Sequence, residues 1–104
     1  MKRCKFTKIV AGLSVVASIM GTTAFAEDTR IALVVKALGI GFFEAAAKGA
    51  EEAAAELGGV KIIYTGPTST TAEGQIEVIN SLIAQGVDAI AVSANDPDAL
   101  APAL

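Results

Sequence analysis

Lys36-Ala37-Leu38-Gly39-Ile40-Gly41-Phe42-Phe43 joins two segments of opposite character. Before it, Ile31-Ala32-Leu33-Val34-Val35 is a short apolar run rich in β-branched residues, which fits a buried strand. After it, Glu44 to Leu57 is rich in Ala and free of Pro, which fits a helix. Strand, Gly-containing turn and helix form the first half of a βαβ unit. In open α/β sheets ligands bind beyond the carboxyl ends of the strands, where this loop sits. It carries a cation and two adjacent phenyl rings, and rings in a turn need a cover, from the core or from a ligand.

The pattern repeats downstream. Arg30 to Lys36 reads as strand one, unbroken rather than alternating, as in a parallel strand covered on both faces. Helix one is expected over Phe42 to Leu57, with Gly41 as N-cap and Glu44 near the positive end of the dipole. Gly49 with Ala45, Ala46, Ala50, Ala53 and Ala54 offers a small-residue face for close packing on a sheet. Lys48, Glu51, Glu52 and Glu56 read as a solvated face, and Gly58-Gly59 ends the helix. Strand two is Val60 to Thr65. Thr70 with Glu73 suits a capping box for helix two, expected over about Ala72 to Gln85, with Ile76, Ile79, Leu82 and Ile83 on its buried face. Asp88 to Ser93 is strand three, and Asp96-Pro97 opens a third helix, with Asp96 as N-cap. The order β-α-β-α-β-α with short connections implies a parallel sheet with right-handed crossovers.

The chain has 104 residues, one domain at most, with a mean hydropathy of +0.58. Part of that hydropathy comes from a basic start (Met1 to Lys8), an apolar stretch (Ile9 to Met20) and a small-x-small ending, Ala24-Phe25-Ala26. This is the pattern of a secretory signal peptide over residues 1–26, cleaved after Ala26. The apolar stretch is shorter than the ~20 residues a membrane span needs. The remaining residues, 27–104, carry eleven acids and four bases, a net charge of −7. That disfavours nucleic acid and anionic membrane surfaces as partners. Cys4 is the only cysteine, the sequence has no histidine, and residues 27–104 therefore exclude disulfides, thiol nucleophiles and Cys/His metal sites. An exported, unanchored product suits the periplasm. Residues 27–104 bury only about 60–65% of their unfolded surface, and strand three would have one bare edge. We therefore expect a partial lobe of a longer protein, the alternative being a small domain that dimerises through the open edge.

Nothing assembles a catalytic constellation. Gly39-x-Gly41 lacks the third glycine of a dinucleotide fingerprint, since Glu44 stands there, and no Walker lysine-serine pattern occurs. Ser93 lacks the nucleophile elbow. A binding site remains. Lys36 ends strand one, Thr68 to Thr71 follow strand two and Ser93 to Asp96 follow strand three, all on one rim. An aromatic wall with a few fixed polar groups is how proteins hold sugars. Phe42 and Phe43 point ~100° apart on a helix, so one is expected to face the ligand and the other the core. Lys36 is a candidate ligand contact, the alternative being a strand-end lysine in solvent. Asn95 and Asp96 suit a turn and a cap, and Asn95 also stands among the candidate ligand residues.

From Arg30 to Leu104 the chain resembles the start of a periplasmic sugar-binding protein of the ribose-binding type. The resemblance rests on the loop ending Gly41-Phe42-Phe43, on Ala47-Lys48-Gly49-Ala50 and Gln75-Ile76, on Leu82 to Ile90 and on Val92 to Leu100. Lys36, Gly39 to Phe43 and Tyr64 to Thr68 look like the branch that binds autoinducer-2 or rhamnose. The resemblance implies an α/β fold, a three-layer αβα parallel sheet forming the first βαβαβα part of a type I periplasmic binding protein lobe. It implies the solute receptor of an ABC importer, periplasmic and not an enzyme, with a sugar-like ligand and permease subunits as partners and no cofactor or metal. It also implies that Lys36 hydrogen-bonds the ligand and that Phe42 or Phe43 lines the pocket. An exported Rossmann-like enzyme fragment and the ligand-binding lobe of a sugar-responsive regulator are the alternatives.

Overall fold

A computed structural model describes residues 26–104, together with Gly12 and Gly21. Apart from those glycines and Ala26, the signal peptide expected over residues 1–26 lies outside the described residues. Three parallel strands form one sheet: β1 (Thr29–Val34), β2 (Val60–Thr65) and β3 (Ala89–Val92). The helices are α1 (Gly41–Leu57), α2 (Ala72–Ala84) and α3 (Pro97–Leu100), the last continued by a 3₁₀ turn, Ala101–Ala103. No helix among the described residues is long and apolar enough to cross a membrane.

The strand order is β2-β1-β3. The chain steps outward from β1 to β2, then returns past β1 to β3. With crossovers of one hand, that reversal puts α1 and α2 on opposite faces of the sheet. The result is the expected αβα sandwich. On one face Ala32, Val34, Ile79, Leu82 and Leu100 form the buried core, with Ile63, Ile90 and Val92 packed against it. On the other, α1 lies chiefly on β2. β3 is an edge strand whose Ala89 and Ala91 are exposed.

Several local expectations are corrected. β1 stops at Val34, not Lys36: the N–H of Val35 still donates to the carbonyl of Thr65 at 3.0 Å, but Pro67 has no N–H to return, and the carbonyls of Val35 and Lys36 are taken by side chains. β3 likewise is shorter than Asp88 to Ser93, and α2 ends at Ala84. The N-cap of α1 is Ile40, in extended conformation and with no side-chain cap, and Gly41 is the first helical residue. The N-cap of α2 is Thr71, whose hydroxyl accepts from the N–H of Gly74 at 3.3 Å, and not Thr70. Asp96 caps α3 as expected, its Oδ1 accepting from the N–H groups of Asp98 and Ala99 at 3.0 Å each.

The packing faces also differ in part. On α1 the inward stripe is Phe43, Ala47, Ala50 and Ala54, spaced four, three and four residues apart; Ala45, Ala46, Gly49 and Ala53 are exposed. On α2 Ile79 and Leu82 are buried and Ile76 is half-buried, but Ile83 is 53% exposed beside the open edge of β3. Lys48 and Glu52 meet at 3.9 Å on the exposed side of α1, where such pairs stabilise little.

At the opposite end of the sheet from the rim, Arg30 and Asp88 bracket each other. The N–H of Arg30 donates to Asp88 Oδ2 at 2.7 Å, and the N–H of Asp88 returns a bond to the carbonyl of Arg30 at 2.9 Å. The Arg30 guanidinium also donates to the carbonyls of Gln85 and Gly86 at 2.9 and 2.7 Å. A cation thus satisfies carbonyls left open at the C-terminal end of α2.

Candidate functional site

Reversal of strand order makes the carboxyl ends of β1 and β3 a switch point, where one loop leaves toward each face of the sheet. The rim there is built from three loops. The loop after β1 turns at Gly39, whose φ of +80° is a left-handed conformation that glycine adopts without a Cβ penalty. It is tied to the loop after β2 by a bond from the N–H of Leu38 to the carbonyl of Pro67 at 2.9 Å. Gly66 makes the contact close: a Cβ there would lie 2.9 Å from the carbonyl oxygen of Val35. The loop after β3 runs through Ser93 and Asn95 to the cap at Asp96.

Gln75 of α2 joins these loops from below and is 0% exposed. Its Nε2 donates to the carbonyls of Val35 at 3.0 Å and Ser93 at 2.8 Å, and its Oε1 accepts from the N–H of Asn95 at 2.7 Å. Asn95 completes the link. Its Nδ2 donates to the carbonyls of Lys36 at 2.9 Å and Thr71 at 3.2 Å, one on each of the other two loops. Both amide hydrogens are thereby engaged, so Oδ1 is the group left to accept a bond from a ligand.

Lys36 is exposed at the head of the first loop, and its ammonium group pairs with no carboxylate among the described residues. Phe42 is 76% exposed and Phe43 half-buried; their rings meet edge to face with centroids 5.3 Å apart. One ring therefore packs inward and braces the other, which presents its surface to solvent. In the first turn of α1 the N–H groups of Phe43 and Glu44 donate to the carbonyl of Ile40 at 2.9 and 3.1 Å, and Ile40 supplies no side-chain cap to those of Gly41 and Phe42. Neither of two surface hollows, one beside β2 around Ile63, Val78 and Leu82, the other beside β3 around Ile90 and Leu104, is lined by Lys36, Phe42, Phe43 or Asn95.

The structure joins Asn95 to the backbone carbonyl of Lys36 and sets Phe42 and Phe43 on the helix that follows the Lys36 loop. The sequence pattern had assigned Gln75 no role. The available signal was a glutamine set among Ile76, Ile79 and Leu82 on the buried stripe of α2, since a buried amide needs partners.

Residues 31–104 match the model of the periplasmic binding protein domain. The chain belongs to that family. Solved relatives share the fold of this periplasmic binding protein domain. LsrB from Clostridium saccharobutylicum, in complex with AI-2, is 34% identical with a TM-score of 0.68, over 71% of this chain and 22% of that one. An ABC transporter solute-binding protein from Clostridium phytofermentas, with bound L-rhamnose, is 42% identical with a TM-score of 0.67, over 76% and 24%. One from Agrobacterium vitis, bound with alpha-D-tagatopyranose, is 33% identical with a TM-score of 0.70, over 73% and 25%. The chain thus spans about a quarter of the length of these relatives.

Proposed function

We propose that this chain contributes one side of the ligand site of an ABC importer's solute receptor, and that the ligand is a sugar or autoinducer-2. The observation that carries the reading is the bond from Asn95 Nδ2 to the backbone carbonyl of Lys36, which ties the loops after β1 and β3 together in a periplasmic binding protein lobe, with the exposed Phe42 on the helix that follows. The ligand's hydroxyls would take the Lys36 ammonium as donor and Asn95 Oδ1 as acceptor, while its C–H face lies on Phe42. Relatives bound to L-rhamnose and AI-2 support that ligand class. The work is binding, not catalysis. In the intact receptor the ligand would be closed in by a second lobe and delivered to permease subunits. Export with cleavage after Ala26 would place the product in the periplasm.

Thermal unfolding in millimolar L-rhamnose, ribose or autoinducer-2 tests the reading. A ligand at ten times its Kd stabilises the folded state by about 1.4 kcal/mol, which raises the Tm of a domain this size by roughly 5–10 °C. A rise with one of them supports the assignment. A cooperative transition that none of them moves removes it.

A further inference from the structure

Where β1 and β3 part company, backbone groups that a continuing ladder would have paired are left over. The carbonyl of Ser93 and the N–H of Asn95 are two; the third, the carbonyl of Val35 in a residue 1% exposed, faces β2, where Pro67 has no N–H to offer. Buried groups of this kind are costly unless paired, and water is the usual partner in an open switch-point crevice. Here Gln75 meets all three with a single side chain, giving two hydrogens and taking one. Its two donor contacts reach residues 40 and 18 positions away, each one residue past the end of β1 or β3. The amide therefore acts as a spacer between the ends of β1 and β3.

What that spacer holds is the rim. Asn95 receives its backbone alignment from Gln75 and passes it on through Nδ2 to Lys36 and Thr71. We propose that Gln75 is a positioning residue for the ligand rim: wedged in the split between β1 and β3, it sets the separation of the Lys36 and Asn95 loops. Gln75 makes no ligand contact itself. It acts by pre-organising groups that a ligand would otherwise have to order at a cost in affinity. The proposal rests on the rim being the ligand site for its effect on affinity, but not for its effect on the loops.

The test uses the full 104-residue chain, isotope-labelled, as wild type, Gln75→Met and Gln75→Asn. Met keeps nearly the same volume without polar atoms; Asn keeps the amide on a shorter stem. Gln75→Met is expected to speed hydrogen exchange at the Asn95 backbone and side-chain amides by about tenfold or more, while amides in the β1–β2 ladder keep their protection. It is also expected to weaken L-rhamnose binding by about tenfold, with Gln75→Asn intermediate in both readouts. Equal loss of protection at Asn95 and in the ladder overturns the proposal, since Gln75 would then be a general core residue. Unchanged rhamnose affinity alongside faster Asn95 exchange also overturns it. If wild type binds no rhamnose, the ligand reading fails and the exchange pattern alone decides the positioning role. If Gln75→Met does not fold, the wild type decides by its scalar coupling across the hydrogen bond from the Asn95 nitrogen to the Gln75 side-chain carbonyl carbon. A measurable coupling supports the proposal, and its absence overturns it.

Discussion

Replacing Phe42 by Ala should separate binding from folding. The ring is 76% exposed, so truncation removes little buried area. The edge-to-face contact with Phe43, at 5.3 Å between centroids, is the main loss to the folded state. Such pairs contribute about 0.5–1.5 kcal/mol, and this one is largely solvent-exposed, so the cost should lie at the low end. The effect on ligand binding is larger in proportion. Burying a whole phenylalanine side chain is worth about 1.5–3 kcal/mol. About three-quarters of this one is open, and a flat sugar covers one of its two faces. That leaves about 1 kcal/mol for the contact, or roughly a fivefold weaker Kd in the variant. Calorimetric titration with L-rhamnose measures the second quantity, and thermal unfolding without ligand measures the first. Unchanged affinity would refute the stacking role. So would a fall in Tm of more than several degrees, because it would make Phe42 a core residue.

Four further substitutions probe the rim and the layers under it. Thr71→Ala should cost about 1 kcal/mol in chemical denaturation, because its hydroxyl caps α2, whereas Thr70→Ala should leave the midpoint in place. Tyr64→Phe removes a buried hydroxyl that has no partner among the described residues, and the Tm should hold or rise, by up to about 1 kcal/mol of stability. Gly66→Ala would set a Cβ 2.9 Å from the Val35 carbonyl oxygen and 3.0 Å from its Cγ2, and should destabilise by about 1–3 kcal/mol in the same denaturation assay.

Which features were legible in the sequence follows from how local their causes are. Strand two and the Asp96-Pro97 start of α3 are set by neighbouring residues, and both stand where the local pattern put them. The faces of α1 were harder. With alanine at most positions, hydrophobicity does not mark a side, and the sheet alone decides that Ala47 and Ala54 turn inward while Ala46 and Ala53 do not. β1 ends early because Pro67 offers no N–H and side chains take the carbonyls of Val35 and Lys36, although Val35 continues the apolar run. Ile40 is a poor cap by residue type; the turn at Gly39 puts it there and no side chain caps the helix. Two adjacent threonines also hid which one would cap α2.

The rim divides the same way. Lys36, Phe42 and Phe43 could be proposed because a loop after a strand is a place of known geometry in a parallel sheet. Asn95 was ambiguous between turn and contact, and its side chain is a tie between loops with one acceptor left over. Gln75 was invisible as a rim residue because its partners lie 18 to 40 positions away and are backbone groups, which leave no mark on composition or spacing.

Chemical-shift mapping of the isotope-labelled chain titrated with L-rhamnose tests the binding rim most directly. Shifts concentrated at Lys36 to Phe43 and at Asn95, saturating in the millimolar range or below, are the expected result. Saturating shifts centred on Ile63, Val78 and Ser81 beside β2, or none at any residue of a folded chain, would contradict it.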